Sequence, residues 1–235
     1  AAKGIAMLNL KTGRWTALGD GLRGAVVVRS ISLDQASGRI AVGGRFTVPG
    51  KAKTMNVGVW DLAKGWVELK GGSGSGAVQG VVESVALTAD GVVHASGHLR
   101  IGSQEALVAR WSPLVAGWTV SATTSVLGDA PHALVLDGGG MLTAGTGVGW
   151  YGSPLVRESQ LSGYGWERVG GGVTRSRRAA WITALAATPD GRVVVGGAFD
   201  AAGSARTQHI AVWSAASQSF SAIGEGLDVE PDALV

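Results

Sequence analysis

There is no cysteine in the 235 residues. That removes disulfides, thiol catalysis and any cysteine-ligated zinc site, and it suits either redox compartment. Charged residues are scarce at 16%, so much of the surface must be small and neutral. No apolar run approaches the ~18 residues a membrane-spanning helix needs. The opening "AAKGIAMLNL" carries one Lys and too short an apolar run for a secretory signal. That leaves a chain that is not exported or one numbered from a processed start. What the chain has in quantity is glycine, 39 residues, within a composition that is 46% apolar. Glycine is costly inside helices and cheap in tight turns, so the balance favours one large all-β domain or two small ones. The net charge of +3 hints at an anionic partner but falls short of the clustered Lys and Arg of a nucleic-acid binder.

An internal repeat organises the chain. Residues 40–71 read "IAVGGRFTVPGKAKTMNVGVWDLAKGWVELKG", and 193–227 read "VVVGGAFDAAGSARTQHIAVWSAASQSFSAIGEGL". Gly-Gly-x-Phe recurs at Gly43-Gly44 and Gly196-Gly197, followed by a polar stretch and a strand ending in Trp. Segments "IAML" (5–8), "VGVW" (57–60), "VARW" (108–111), "VRES" (156–159) and "IAVW" (210–213) align. The aromatics that follow, Trp15, Trp66, Trp118, Trp166 and Phe220, are 51, 52, 48 and 54 residues apart. Each unit predicts four short antiparallel strands, a to d. In the last full copy these are 182–188, 192–199, 209–213 and 219–224, with a tight a-to-b hairpin at Pro189-Asp190-Gly191. Four antiparallel strands per ~50 residues predict the blade of a β-propeller. The glycines are expected where strand b meets neighbouring backbone and a β-carbon would hold blades apart. Trp15, Trp66, Trp118 and Trp166 are expected as plugs between blades.

The glycine doublet closing strand b, with an aromatic in strand d, resembles the kelch repeat of galactose-oxidase-like propellers. The "GGxF…IAxW…W…LGxGL" pattern is more similar still to propeller repeats of Rax-type cortical proteins and bacterial surface proteins. The resemblance covers nearly the whole chain. It implies blades around a central channel with ligands or partners on one face. The repeat, the small neutral surface and the lack of a catalytic motif together favour a binding module that is exported or on a cell surface. The second and third copies depart from it, with Ser96-Gly97 and Gly145-Thr146 in place of the doublet. The oxidase branch needs copper and a cysteine-linked tyrosine, which a chain without cysteine cannot supply.

The expected architecture is one all-β domain over 1–235, a five-bladed propeller. Its repeats are 1–24 (partial), 25–76, 77–128, 129–174, 175–228 and 229–235 (partial). "PDALV" (231–235) matches strand a, so the fifth blade would take strand a from the C-terminus and strands c and d from the N-terminus. It lacks a strand b. Such an edge invites strand pairing. Either the chain is a processed or partial piece of a longer one, or the ring has more blades with the rest supplied elsewhere; the favoured reading is a five-bladed ring with a defective closing blade.

The sequence holds no motif of catalysis. "GGSGSG" (71–76) has no helix behind it to present to a phosphate and reads as a flexible loop. His94 and His98 fall ~13 Å apart along one strand, too far to share an ion, and no metal or other cofactor is expected. Asp34, Asp90, Asp137 and Asp190 recur at the a-to-b turns, where Asp before Gly suits a hairpin. One constellation suggests a ligand. In a propeller, b-to-c and d-to-a loops share a face. In the third copy these loops, "GVGWYGSP" (147–154) and "GGGVTRSRRAAW" (170–181), would gather Trp150, Tyr151, Arg175, Arg177, Arg178 and Trp181 on one rim. Flat aromatics stack on sugars, and guanidinium forks suit carboxylate or sulfate groups. The plainer reading is a channel-filling Trp181 and a solvated Arg-rich loop. The primary expectation is therefore a non-enzymatic module binding protein or acidic glycan on this face. The alternatives are a glycan-active enzyme using loop carboxylates at the channel mouth, and a structural propeller unit.

Overall fold

The computed structural model describes residues 2–51, 55–70, 77–137, 142–145, 154–159, 165–176 and 178–234. The chain divides into two compact units, Ala1–Val120 and Ser121–Val235.

The first unit opens with a two-stranded antiparallel sheet, β1 (Ala6–Asn9) and β2 (Arg14–Ala17). A four-stranded meander follows: β3 (Arg23–Asp34), β4 (Arg39–Thr47), β5 (Met55–Asp61) and β6 (Gly65–Val67). A second meander contains β7 (Val78–Leu87), β8 (Val93–Ile101), β9 (Gln104–Ser112) and β10 (Gly117–Ala122). The second unit holds a short helix, α1 (Thr124–Leu127), then a third meander of β11 (Ala133–Leu136), β12 (Leu142–Gly145), β13 (Leu155–Ser159) and β14 (Gly165–Arg168). After β15 (Val173–Thr174) comes the fourth meander, β16 (Trp181–Ala187), β17 (Val193–Ala198), β20 (Ile210–Ser214) and β21 (Ser219–Ala222). The hairpin β18 (Ala201–Ala202) and β19 (Ala205–Arg206) branches from it and pairs with β15. Each meander is one repeat, its strands in the expected a-b-c-d order.

The turns follow from local chemistry. Thr88 and Thr188 each bond the backbone four residues on, while their hydroxyls donate to Asp90 and Asp190. Identical Thr-x-Asp-Gly turns thus close two a-to-b hairpins. In the second meander the b-to-c connection is also tight, with Ile101 paired to Gln104.

The pairing registers bear out the alignment in three of four testable copies. Leu8 lies opposite Trp15, Trp60 opposite Trp66 and Trp213 opposite Phe220. The third copy is offset by one, because Trp166 faces Glu158 rather than Ser159. The counterpart of "VARW" there is "LVRE" (155–158). A polar Glu stands where the other meanders carry Trp, which is why apolarity alone misplaced it.

The glycine pair has two separate tasks. A β-carbon on Gly43 would lie 2.6 Å from Val85 Cγ1 and 2.8 Å from Val82 Cγ1, side chains of the next meander. On Gly145 it would meet Ile182 Cβ at 2.7 Å, again in the next meander, and on Gly196 it would meet Pro231 Cγ at 2.6 Å. The first glycine therefore makes room for whatever packs on its sheet, the next meander at Gly43 and Gly145 and the C-terminal stretch at Gly196. A β-carbon on Gly44, Gly97 or Gly197 would instead overlap a backbone oxygen within the same sheet, that of Val27, Val81 or Trp181. Those oxygens are pushed inward by a bulge in strand a. The register slips between Val28 and Ser30, Val82 and Ser84, and Ile182 and Ala184. A bulge crowds the facing strand, so glycine is required there for a reason the sequence pattern does not expose. The second copy keeps only the intra-sheet glycine, Gly97, beside a fully buried Ser96. The third keeps the inter-sheet one, Gly145.

The aromatic plugs are distributed differently from expectation. Trp166 is 7% exposed and donates its indole N–H to Ser121 O. Trp66 and Trp118 are half-buried, and Trp66 stands edge-on to Trp60 at 5.3 Å. Trp15 is 69% exposed and plugs nothing. It sits on a sheet of two strands, which has too little surface to enclose an indole. The buried Trp111 and Trp213 of strand c do equivalent work: Trp111 donates to Lys70 O at 2.9 Å, and Trp213 lies flush against Gly170. Phe46 and Phe199 of Gly-Gly-x-Phe are buried in the cores. The C-terminal stretch 231–234 is not a strand. Proline at 231 offers no backbone donor to a ladder, and the stretch instead packs on Gly196 and accepts a hydrogen bond from Thr183 Oγ1 at Pro231 O, 2.6 Å.

Candidate functional site

The rim suggested by the sequence is described in part. Trp150, Tyr151 and Arg177 lie outside the described residues. Arg175, Arg178 and Trp181 lie within them, and two are brought together: the Arg175 guanidinium carbon sits 5.1 Å above the Trp181 ring. Stacking of this kind is worth ~0.5–1 kcal/mol at an exposed site, and it holds a planar cation beside a planar apolar face. Arg178 is exposed one turn further on, its amide donating to Arg175 O at 3.4 Å.

A small sheet fixes this loop. Val173 pairs with Ala202 and Thr174 with Ala201, and Ala201–Ala202 pairs in turn with Ala205–Arg206. The d-to-a loop of the third repeat is thus stitched to the b-to-c loop of the fourth. Asp200 anchors the join. Its amide donates to Thr174 O at 2.9 Å, and its carboxylate accepts the Ser176 amide at 2.6 Å. The Ser176 amide, its hydroxyl and, more weakly, Arg175 hold the Asp200 carboxyl below the usual carboxylate range, against a smaller opposing effect of burial. On the far side of the loop Thr207 Oγ1 donates to Ile210 O, and His209, at φ 63°, places its Nδ1 2.9 Å from Gly197 O.

Sequence reasoning missed Asp200 and Ser176. The only signal was position: Asp200 directly follows the Phe of Gly-Gly-x-Phe, where the first copy has Thr47. Asp200 changes the chemistry of the rim, because it places a carboxylate near Arg175 and so narrows which anions can approach. Of the a-to-b turn aspartates, Asp34, Asp90 and Asp190 make local turn contacts. Asp34 accepts the Ala36 amide and the Ser37 hydroxyl. Asp190 is drawn down to about 2, by Arg192 first and Thr188 second. Asp137 departs from the turn role: its side chain is fully buried and paired with Arg157 at 2.9 Å.

Arg157 also lines a cleft of about 130 Å³ with Glu167, Arg168, Gly170, Trp213 and Gln218, a wall of mixed charge. Among the described residues no three His, Asp or Glu side chains gather as metal ligands, and no helix is long and apolar enough to cross a membrane.

No family model and no curated protein matches the sequence. Solved structures do match. The chain is similar to WD40 repeats of RRP9, with a TM-score of 0.60 and 12% identity over 97% of this chain and 62% of that one. It is also similar to the extracellular domain of the hybrid two-component system BT4673 from B. thetaiotaomicron, with a TM-score of 0.56 and 12% identity over 98% of this chain and 27% of that one. The chain thus spans about a quarter of the BT4673 domain and under two thirds of the RRP9 repeats. At this identity the likeness concerns fold alone, and the fold is all-β and propeller-like.

Proposed function

We propose that this chain is a non-enzymatic binding propeller whose rim at Arg175, Arg178 and Trp181 contacts an acidic partner, a glycan or a protein. The observation that carries the reading is the Arg175–Trp181 stack at the edge of a loop braced by β15, β18 and β19. A guanidinium held in place loses little freedom when an anion docks, and the half-buried indole of Trp181 beside it adds a flat apolar surface of the kind sugars stack on. Trp150, Tyr151 and Arg177 belong to the same proposal through the proximity expected of propeller loops. The extracellular character of the BT4673 neighbour supports a surface or secreted setting. The repeat spacing, four meanders and the β1–β2 sheet support a single kelch-type domain of five blades, the last incomplete.

A glycan array with sulfated and uronic-acid sugars, followed by titration calorimetry, tests the reading. Arg175→Gln/Arg178→Gln is expected to weaken binding at least tenfold while lowering stability by no more than about 1 kcal/mol, the worth of the lost stack on Trp181. Absence of any acidic ligand, or equal affinity in the double variant, removes the rim as the contact surface.

A further inference from the structure

We propose that the cleft between the third and fourth meanders binds a small free α-amino acid, its carboxylate against Arg157 and Trp213 and its ammonium against Glu167 and Gln218.

An equivalent interface in the same chain provides the comparison. Trp60 pairs with Trp66 in the first meander, and Glu158 pairs with Trp166 in the third. Val59 opposite Val67 is therefore the counterpart of Arg157 opposite Glu167. Val59 and Val67 pack in one apolar cluster with Trp111 of the second meander, and Trp111 donates its indole N–H to Lys70 O at 2.9 Å. Trp213 is the counterpart of Trp111. Arg157 shares a sheet face with Leu155, two residues away along the strand, and Leu155 packs in one cluster with Trp213 of the fourth meander. An apolar cross-strand pair facing a tryptophan has thus become a charged pair facing a tryptophan. Across from it, Gln218 stands where the second meander has Ala116, both in the left-handed region at φ 49° and 47°. A long polar side chain is uncommon on such backbone.

The exchange opens a space and leaves polar groups in its wall without partners. The cleft has a volume of about 130 Å³, and Arg157, Glu167, Arg168, Trp213 and Gln218 line it. Trp213 is 4% exposed and its indole N–H is buried with no acceptor, whereas Trp66, Trp111 and Trp166 donate to Leu18 O, Lys70 O and Ser121 O. Arg157 gives Nη2 to the fully buried Asp137 at 2.9 Å, which fixes the guanidinium, while its Nε is buried and unpartnered. Among the described residues the side chains of Glu167 and Gln218 have no hydrogen bond or ion pair. Buried donors left unmade cost stability, and a charged pair in place of packed valines adds little to it. Stability does not explain this wall. An occupant that accepts from Arg157 and Trp213 and donates to Glu167 does.

The charges select the occupant. Arg157 and Arg168 balance Asp137 and Glu167, so a ligand of zero net charge fits without Coulomb penalty. Its acceptor end suits a guanidinium, the side chain that best matches a carboxylate, and its donor end suits Glu167. A zwitterion has both ends on one small molecule. A water takes ~30 Å³ in the liquid, so the cleft of about 130 Å³ admits an amino acid of the size of glycine, alanine or serine. This site is separate from the Arg175 rim, and failure of either leaves the other standing.

The probes are glycine, L-alanine and L-serine, added singly to the intact 235-residue chain, with propionate and ethylamine as half-ligands. Calorimetry is expected to show one site for at least one amino acid, and affinity at least tenfold weaker for each half-ligand. The Trp213 indole N–H resonance, assigned by its loss in Trp213→Phe, is expected to shift on binding. Glu167→Gln is expected to weaken binding at least tenfold. Glu167 is exposed and unpaired, so that variant should keep its urea midpoint. Gln218→Gly, which suits the left-handed backbone, provides a second variant and should also weaken binding. Lack of binding at millimolar amino acid overturns the proposal, as does affinity unchanged in both variants. Propionate bound as tightly as alanine would overturn it in favour of a plain anion site. A Trp213 resonance that stays in place would put the ligand elsewhere and overturn it too.

Discussion

Adding one methyl group at adjacent positions, Gly43→Ala and Gly44→Ala, should expose two different mechanisms of destabilisation. At Gly43 the new carbon presses on Val85 Cγ1 at 2.6 Å and Val82 Cγ1 at 2.8 Å. Those are side-chain ends that yield by small shifts, so the cost is that of modest overpacking, about 1–2 kcal/mol. At Gly44 the new carbon overlaps Val27 O. A carbonyl fixed in a ladder cannot rotate away, so the strands must part by about 1 Å in a close-packed interior. That cost combines strain of about 2 kcal/mol with about 1 kcal/mol for a weakened ladder bond, about 3 kcal/mol in all. A control is Gly102→Ala in a turn at φ 61°, where nothing lies within 4 Å. Its expected cost is about 1 kcal/mol, for the left-handed backbone alone. The decisive comparison adds Val85→Ala. Trimming Val85 makes room for the methyl at Gly43, so the double variant Gly43→Ala/Val85→Ala should be at least about 1 kcal/mol more stable than additivity predicts. No such rescue is expected for Gly44→Ala/Val85→Ala. Urea unfolding followed by tryptophan fluorescence and circular dichroism measures all of these. Equal rescue at both positions, or Gly44→Ala costing no more than Gly102→Ala, would refute the division of tasks.

Two further outcomes are expected. Burial, with a smaller contribution from Arg110, pushes the His94 imidazole down to about 4 against the smaller opposing pull of Asp90. The unfolded chain binds the proton more readily, so the His94 contribution to stability should fall as the pH drops from about 6.5 towards 4 and level off below, where the lowered carboxylates take over the pH dependence. The loss is of order 3 kcal/mol, and His94→Gln should abolish this component of the urea-midpoint profile. Trp15→Ser should change stability by no more than about 0.5 kcal/mol because the residue is 69% exposed. Trp166→Ser, which empties a buried site and removes the donor to Ser121 O, should cost about 3–5 kcal/mol; thermal unfolding that ranks the pair the other way contradicts the assigned roles.

The four meanders were legible because apolar strand segments recur in phase along the chain, and because Thr-x-Asp-Gly turns close the a-to-b hairpins of the second and fourth copies. Strand ends in the last copy shifted by only one or two residues. What was not legible arose from contacts distant in sequence. The bulges at Arg29, Glu83 and Thr183 leave no composition signal, although Arg29 and Glu83 reach one another at 3.0 Å. Trp15 and Trp166 have the same repeat position and opposite exposure, because what covers a face depends on the neighbouring sheet. Asp137 looks like its counterparts in other turns, yet its carboxylate is committed to Arg157, a partner 20 residues later that no periodicity identifies. At the rim, Arg175 and Trp181 could be nominated from residue type. Asp200 could not, because its role comes from two loops of different repeats forming one small sheet.

The split between the glycines also bears on how such repeats are counted. A template demanding both glycines finds two copies here and overlooks the two between. Each overlooked copy has lost a different letter, Gly43's counterpart becoming Ser96 and Gly44's becoming Thr146. Scoring the positions as independent characters, one tied to the bulge and the other to the adjoining sheet, recovers all four as a single lineage of repeats.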